Sequence, residues 1–265
     1  MRKFSKIAAL AATALALACT STATIAQQRQ ERERPRNSLR SAGEPGRVAA
    51  ADWSLARRSR EEGQWTAFRD TLAPGALFHQ PQGPVDAATW LMGRADPDQP
   101  EQWAPATVWT SCDGTMAVTE GRFRQADGLV GTYVTVWALQ RDRSYKWTYD
   151  LSSLDNPQPV ERARPAAPAV SPRDLIEVTD IPSVRGHVAD CVRRGSPRPQ
   201  RPQPAAGPAV RAGSGASDDA TLVWRWEHRA NGERLFSADY LHEGAWQRVT
   251  ELRVAPEASD ATRAE

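Results

Sequence analysis

The order of patterns between residues 48 and 151 constrains this chain most, because amphipathic helical stretches come first and short aromatic strands follow. Ala49, Trp53 and Ala56 recur at helical spacing and predict one buried stripe of a helix that Gly63 ends. A second, shorter helix follows with the same kind of spacing. Helices followed by a run of consecutive strands are typical of the α+β class, which we predict here.

Four strand candidates follow one another in this region, and they predict an antiparallel meander. Asp113-Gly114 lies between the first two candidates, and this dipeptide between two apolar runs is a strong signal for a hairpin turn. Two further turns separate the remaining candidates. The predicted strands of the meander are 106–112, 116–124, 129–140 and 145–151, and a short strand, 76–80, precedes them.

Aromatic and polar residues alternate along the last predicted strand. Successive side chains of a strand point to opposite faces of a sheet, so the aromatic residues are predicted to share one face. Asp150 then lies on the other face beside Lys146 and Thr148, where a solvated or salt-bridged role is favoured. The aromatic face comprises Tyr145, Trp147, Tyr149 and Leu151.

Three phrases of the sequence resemble the nuclear transport factor 2-like superfamily, and within it the SnoaL-like proteins. They are REEGQWTAFRDTLAPGALFHQPQGPVDAATWLMGRADP, SCDGTMAVTEGRF and KWTYD. They are similar to exported bacterial members without assigned activity, and the resemblance spans Ala49 to Leu151. It implies a cone-shaped, bent antiparallel sheet wrapped around the helices, with an apolar pocket inside. Enzymes of the superfamily carry catalytic motifs that match no residues here, so no catalytic role is transferred.

The N-terminus predicts export. Three basic residues within the first six and the mostly apolar run Ile7–Ala18 are typical of a signal peptide, and the run is too short to span a membrane. Small residues at Thr24 and Ala26 predict cleavage after residue 26, and hence a periplasmic or secreted protein. Lipid attachment at Cys19 is the alternative.

Net charge argues against a nucleic-acid partner. The whole chain carries +2, but loss of the basic signal peptide leaves −1. The remaining arginines alternate with acidic residues or lie in proline-rich stretches, and they form no dense basic face of the kind that nucleic acid requires. No other apolar run is long enough to predict a membrane span.

Two cysteines, Cys112 and Cys191, follow the signal peptide. In an oxidising compartment such a pair predicts a disulfide bond. Two free thiols or an intermolecular bridge remain alternatives. Neither cysteine belongs to a CxxC motif or lies near a spaced histidine pair, so no metal site is predicted.

The composition divides the chain into several segments. Regions rich in proline, alanine or charge alternate with regions that have strand or helix periodicity. We predict a signal peptide (1–26), a disordered tether (27–45), the α+β domain (46–155), a linker (156–172), a short docked segment (173–194), a disordered linker (195–217), a small three-stranded β-meander (218–256) and a disordered tail (257–265).

Seven tryptophans lie between Trp53 and Trp147, and they favour an aromatic-lined pocket as well as a well-packed core. A sheet bent around two helices needs large side chains to wall its open end. We predict that at least three of six residues line one cavity: Trp53, Phe78, Trp90, Tyr133, Trp137 and Tyr149.

Two residues are weak candidates for catalysis. His79 is the only histidine of the α+β domain and has an ordinary pKa suited to a general base. Asp150, next to the last residue of the aromatic strand, is the other candidate base. His228 and His242 have no third ligand partner in the sequence, so no metal or other cofactor is predicted.

Three classes of function fit these patterns. The first is an exported domain that binds a small apolar ligand or a partner protein without catalysis, with a homodimer as one form. The second is a pocket enzyme of isomerase, dehydratase or cyclase type with His79 or Asp150 as general base. The third is an envelope scaffolding protein, which a large exposed aromatic patch on the meander would favour.

Overall fold

The computed structural model describes residues 42–159, 183–193, 195–196, 200 and 209–256. The predicted signal peptide and the tail at 257–265 lie outside the described residues, and so do most of the tether and most of the linker at 156–172. Among the described residues, no helix is long and apolar enough to cross a membrane.

The described chain is an α+β protein in which the helices come before the main run of strands, as predicted. The helices are α1 (Pro45–Glu62), α2 (Gln64–Thr71) and α3 (Ala87–Leu91). The strands are β1 (Leu72–Gln80), β2 (Gly83–Asp86), β3 (Gln102–Thr110), β4 (Met116–Arg124), β5 (Val130–Leu139), β6 (Tyr145–Leu154), β7 (Arg185–Val188), β8 (Ala209–Ala216), β9 (Leu222–Arg229), β10 (Arg234–His242) and β11 (Ala245–Val254).

The first sheet has seven strands in the order β2-β1-β6-β5-β4-β3-β7. Its central part is the predicted antiparallel meander of β3, β4, β5 and β6. β1 joins β6 in parallel, and β7 joins β3 in parallel at the other edge, so the whole sheet is mixed. Within the segment predicted to dock (173–194), residues 185–188 form this edge strand, and residues 173–182 lie outside the described residues.

The second sheet is antiparallel, in the order β11-β10-β9-β8. It has one strand more than the predicted meander, because β8 lies in the stretch assigned to a disordered linker. Gly213 and Gly215 of β8 lie against the indoles of Trp226 and Trp224, and an added Cβ would come within 2.6 Å of either ring. Such small residues carry no apolar alternation, which is why the pattern did not predict a strand.

The two faces of the first sheet are covered by different layers. The helices pack on one face around Leu91, Trp137 and Trp147, all fully buried. The second sheet packs on the other face, where Tyr149 and Phe236 stack with ring centres 5.4 Å apart. Each fully buried side chain of this size contributes about 1.5–3 kcal/mol, so both layers have a substantial core.

A β-bulge in β6 changes which side chains face the helices. Trp137 of β5 pairs with Trp147, but the preceding Val136 pairs with Tyr149, so β6 has one extra residue at Thr148. Trp147 consequently packs with the helices and Tyr149 with the second sheet. The prediction that Trp147 and Tyr149 share a face is wrong for this reason, since a bulge shifts the alternation by one residue.

Cys112 and Cys191 form a disulfide bond, with Cα atoms 5.1 Å apart. Cys112 follows β3, and Cys191 comes shortly after β7, the strand that pairs with β3. The disulfide bond therefore links the end of β3 to the chain that follows β7, at the edge of the first sheet.

Two turns with the same Ser-x-Asp-x-Thr pattern join the sheets next to this disulfide. They are Ser111–Thr115, between β3 and β4, and Ser217–Thr221, between β8 and β9. The backbone N–H of Asp113 donates to the Asp219 carboxylate at 2.9 Å, and the N–H of Asp219 donates to the Asp113 carboxylate at 2.8 Å. These reciprocal charge-assisted hydrogen bonds fix the second sheet against the first.

Candidate functional site

A small cavity lies between the helices and the helix-facing side of the first sheet. Its volume is about 40 Å³, which is room for a few water molecules or a small reacting group. Apolar side chains form much of the wall, and three carboxyl groups face the same space. The cavity is lined by Asp52, Leu55, Phe68, Glu101, Trp103, Phe123, Tyr133, Thr135, Asp150 and Ser152.

Asp52 lies on the buried side of α1, and only 1% of its surface is exposed. One of its oxygens accepts a hydrogen bond from Trp103 Nε1 at 2.9 Å, and the other accepts one from Tyr133 Oη at 3.0 Å. Burial raises the pKa of Asp52 to about 6, against the opposing effects of Thr119 and of these two hydrogen bonds. Donors on both oxygens hold this carboxyl in a fixed orientation.

Asp150 enters the same cavity from β6, on the face of the sheet opposite to its neighbour Tyr149. Its Oδ2 accepts a hydrogen bond from Thr135 Oγ1 at 2.6 Å, and no donor among the described residues reaches its Oδ1. Burial raises the pKa of Asp150 to about 7, and the negative charges of Asp52 and Glu101 add to that increase. Near neutral pH this carboxyl can therefore both accept and donate a proton.

Glu101 and Tyr133 complete the polar side of the cavity. Gln125 Nε2 donates to Glu101 Oε1 at 3.1 Å, and burial raises the pKa of Glu101. Burial and the neighbouring Asp52 also raise the pKa of Tyr133 well above its usual value. The phenol consequently keeps its proton at neutral pH and remains a hydrogen-bond donor.

The arrangement has the components of proton-transfer chemistry. A general base should have a pKa near the working pH and a free oxygen within reach of the substrate, and Asp150 combines both properties. Asp52 and Tyr133 form a second, more rigid pair in the same space. Carboxyl groups with strongly shifted pKa values in one apolar cavity are a recognised signature of a functional site.

Of the six aromatic residues predicted to form a pocket, Tyr133 lines this cavity. Phe78, Trp90 and Trp137 belong to the packed core under the helices, where Phe78 and Trp90 have ring centres 5.0 Å apart. The other two lie in different environments: Tyr149 packs on the second sheet, and Trp53 is exposed.

His79, the other predicted candidate base, lies outside the cavity. It follows Phe78 on β1 and so points to the opposite face, towards the second sheet. Its Nδ1 is 2.7 Å from Tyr149 Oη, and its Nε2 is 3.3 Å from His228 Nδ1. Burial, followed by the charges of His228 and Arg234, lowers the pKa of His79 to about 3, so it is neutral at physiological pH.

The histidines considered for metal binding do not meet. His228 contacts His79, whereas His242 Nδ1 lies 3.8 Å from an Asp190 oxygen. Within the part of the chain that the structure describes, no group of three or more His, Cys, Asp or Glu residues is arranged to hold a metal ion.

Sequence reasoning missed Asp52 and Glu101. A signal for Asp52 was present, because it occupies the same helical stripe as the buried residues Val48, Ala49 and Leu55. A carboxylate on the apolar stripe of a helix carries a large burial cost unless it is hydrogen-bonded, and it therefore marks a special environment. Glu101 lies just before β3 in a polar stretch, where nothing in the sequence distinguishes it.

The pKa of Asp150 predicts a pH-dependent effect on stability. The group has a folded-state pKa of about 7 and an ordinary value of 3.8, so the folded state holds a proton that the unfolded state has released. Its contribution to stability is greatest at low pH and declines as the pH rises towards 7. Asparagine cannot release a proton. The free energy of unfolding of Asp150→Asn, relative to that of the wild type, should therefore be about 2 kcal/mol higher at pH 8 than at pH 5.

Urea unfolding at both pH values measures this gain. Asp218→Asn is the matched control, because Asp218 is exposed on the turn between β8 and β9. The difference in unfolding free energy between this variant and the wild type should be the same at pH 5 and at pH 8. A stability gain for Asp150→Asn that does not change with pH would contradict a carboxyl whose pKa is raised in the folded state.

Comparison with known proteins gives no family assignment. No protein-family model matches the chain, and no curated protein matches it. The function is therefore inferred from the geometry of the cavity.

Proposed function

We propose that the chain is a pocket enzyme of the isomerase, dehydratase or cyclase type, with Asp150 as its general base. The observation that carries this proposal is a carboxyl with one free oxygen and a pKa of about 7, facing a cavity with mainly apolar walls. General bases with a pKa near the working pH contribute about 10²–10⁴-fold to a rate.

In this proposal the reaction moves a proton within a small carbonyl compound. The Asp150 carboxylate accepts a proton from the carbon next to the carbonyl group, and the bonding electrons move onto the carbonyl oxygen. The protonated Asp150 then returns the proton to the same carbon or to a carbon further along the conjugated system. As negative charge develops on the carbonyl oxygen, the Tyr133 hydroxyl turns its single proton from Asp52 to that oxygen and stabilises the charge.

Two further expectations belong to this proposal. The resemblance to the nuclear transport factor 2-like superfamily, with its cone-shaped sheet, is compatible with a cavity between helices and sheet. Location in the periplasm or outside the cell, following cleavage at residue 26, fits the disulfide bond, because disulfides persist in oxidising compartments. Both remain proposals for this chain.

Non-catalytic binding of a small apolar ligand is the second candidate. The apolar walls at Leu55, Phe68 and Phe123 favour it. A scaffolding role has less support, because Val210 is the only exposed large apolar residue of the described part of the second sheet. Burying carboxyl groups costs folding free energy, and a site that only binds an apolar ligand has no need of them. We therefore prefer the enzyme.

Proton exchange in D₂O tests the proposal without knowledge of the natural substrate. The purified chain is incubated at pD 7.5 with small ketones, including a cyclic β,γ-unsaturated ketone, and NMR follows deuterium uptake next to the carbonyl group. We expect exchange and a shift of the double bond into conjugation at rates above those in buffer alone. Exchange no faster than the buffer rate across the panel would favour the non-catalytic binding protein instead.

A further inference from the structure

An open groove lies directly beside the cavity. The two spaces share Trp103 and Phe123, which are paired residues on β3 and β4. The groove has a volume of about 450 Å³, roughly ten times that of the cavity. We call it the arginine groove, defined by Arg60, Arg122 and Arg124 together with Trp103, Phe123 and Val130.

The charges of the groove are mostly uncompensated. Arg122 forms an ion pair with Asp155, so its positive charge is balanced locally. Arg60 and Arg124 are both exposed, and neither forms an ion pair with another described residue. Two guanidinium groups therefore remain available, and guanidinium binds carboxylates and related oxyanions with good geometry.

The cavity has the opposite electrostatic character. Asp52, Glu101 and Asp150 face it, and burial already disfavours their charged forms. Burial would likewise disfavour an anionic group of a ligand in this space, and any of the three carboxyl groups that is ionised would repel it. A negatively charged ligand would therefore place its charge in the groove and only an uncharged part in the cavity.

Building on the acid–base function proposed above, we propose that the substrate is a small organic anion. Its acid group binds Arg60 and Arg124 in the arginine groove, and its uncharged reacting end extends along Trp103 and Phe123, which line both spaces, into the cavity. The volumes agree with this division, because the groove has the size of a ligand pocket and the cavity admits only a small group.

Calorimetric titration with straight-chain carboxylates of four to eight carbons, and with their uncharged amides, tests the proposal at low salt. We expect the best carboxylate to bind at least five-fold more tightly than its amide and to weaken as salt rises. The Arg60→Gln/Arg124→Gln double variant should lose about five- to ten-fold of the carboxylate affinity and leave amide binding unchanged. Arg141→Gln, in the turn at the opposite end of β5, is the matched control and should bind as the wild type does.

Equal binding of carboxylates and amides, no detectable binding at any chain length, or unchanged carboxylate affinity in the double variant would each overturn the proposal. The outcome is distinguishable from failure of the proposed function. Carboxylate preference and proton exchange are separate readouts of the wild type, and Arg141→Gln, outside the groove, should keep both. If the wild type prefers carboxylates but shows no exchange activity, anion binding in the arginine groove is supported and the proposed enzymatic function is contradicted.

Discussion

The Asp150→Asn variant is expected to lose at least about 100-fold of the proton-exchange rate towards the ketone that the wild type exchanges fastest. Asparagine has nearly the same shape, and its side-chain oxygen can still accept the hydrogen bond from Thr135. What it lacks is a carboxylate that can bind and release a proton. The exchange rate in D₂O, measured by NMR for both proteins, gives the ratio directly.

The pH dependence of the same reaction provides a second readout. A base must be unprotonated to accept a proton, so the wild-type rate should rise with pH and level off above the Asp150 pKa of about 7. Asp218→Asn, the exposed control, should retain both the rate and the profile. An Asp150→Asn variant with wild-type exchange would show that another group is the base.

Replacement of Cys112 and Cys191 by serine is expected to lower the free energy of unfolding by about 4 kcal/mol. The two residues are 79 apart in sequence, and opening a loop of this length increases the entropy of the unfolded chain. The bond also retains β7 on β3. Denaturant unfolding of the wild type and the double variant measures the difference.

A control with reductant separates the effect of the disulfide bond on stability from the effect of the serine substitutions. The reduced wild type should match the double variant, and the double variant itself should not respond to reductant. If the oxidised and reduced wild type are equally stable, the hydrogen bonds between the turns at Asp113 and Asp219 are sufficient to keep the two sheets together without the disulfide bond.

The sequence predicted the fold class and the meander because these depend on strong local signals. Asp113-Gly114 marks the turn between β3 and β4, and Ala49 and Ala56 of the predicted stripe are buried on α1, although Trp53 is exposed. β8 was not predicted, because its glycines are covered by Trp224 and Trp226 from another strand. Because the side chains of β9 supply the packing, the sequence of β8 needs no alternation of apolar and polar residues.

The candidate site was predictable only in part, and the bulge at Thr148 explains why. Asp150 was identified as a candidate base, but simple alternation placed it on the face away from the aromatic residues. A single extra residue in β6 sends Tyr149 to the second sheet and leaves Asp150 beside Thr135 in the cavity. His79 was an equally visible candidate, and only the three-dimensional packing shows that the second sheet buries it.

The most direct test of the account is the pKa of the Asp150 carboxyl in the folded protein. Carbon-13 NMR of side-chain carboxyl groups in aspartate-labelled protein, titrated from pH 3 to pH 9, resolves each group, and Asp150→Asn identifies the Asp150 signal by its loss. The account predicts a midpoint of about 7 for this signal. A midpoint near the ordinary value of 3.8 would mean that the carboxyl is fully charged and well solvated at neutral pH, which would contradict its role as the general base of an enclosed site.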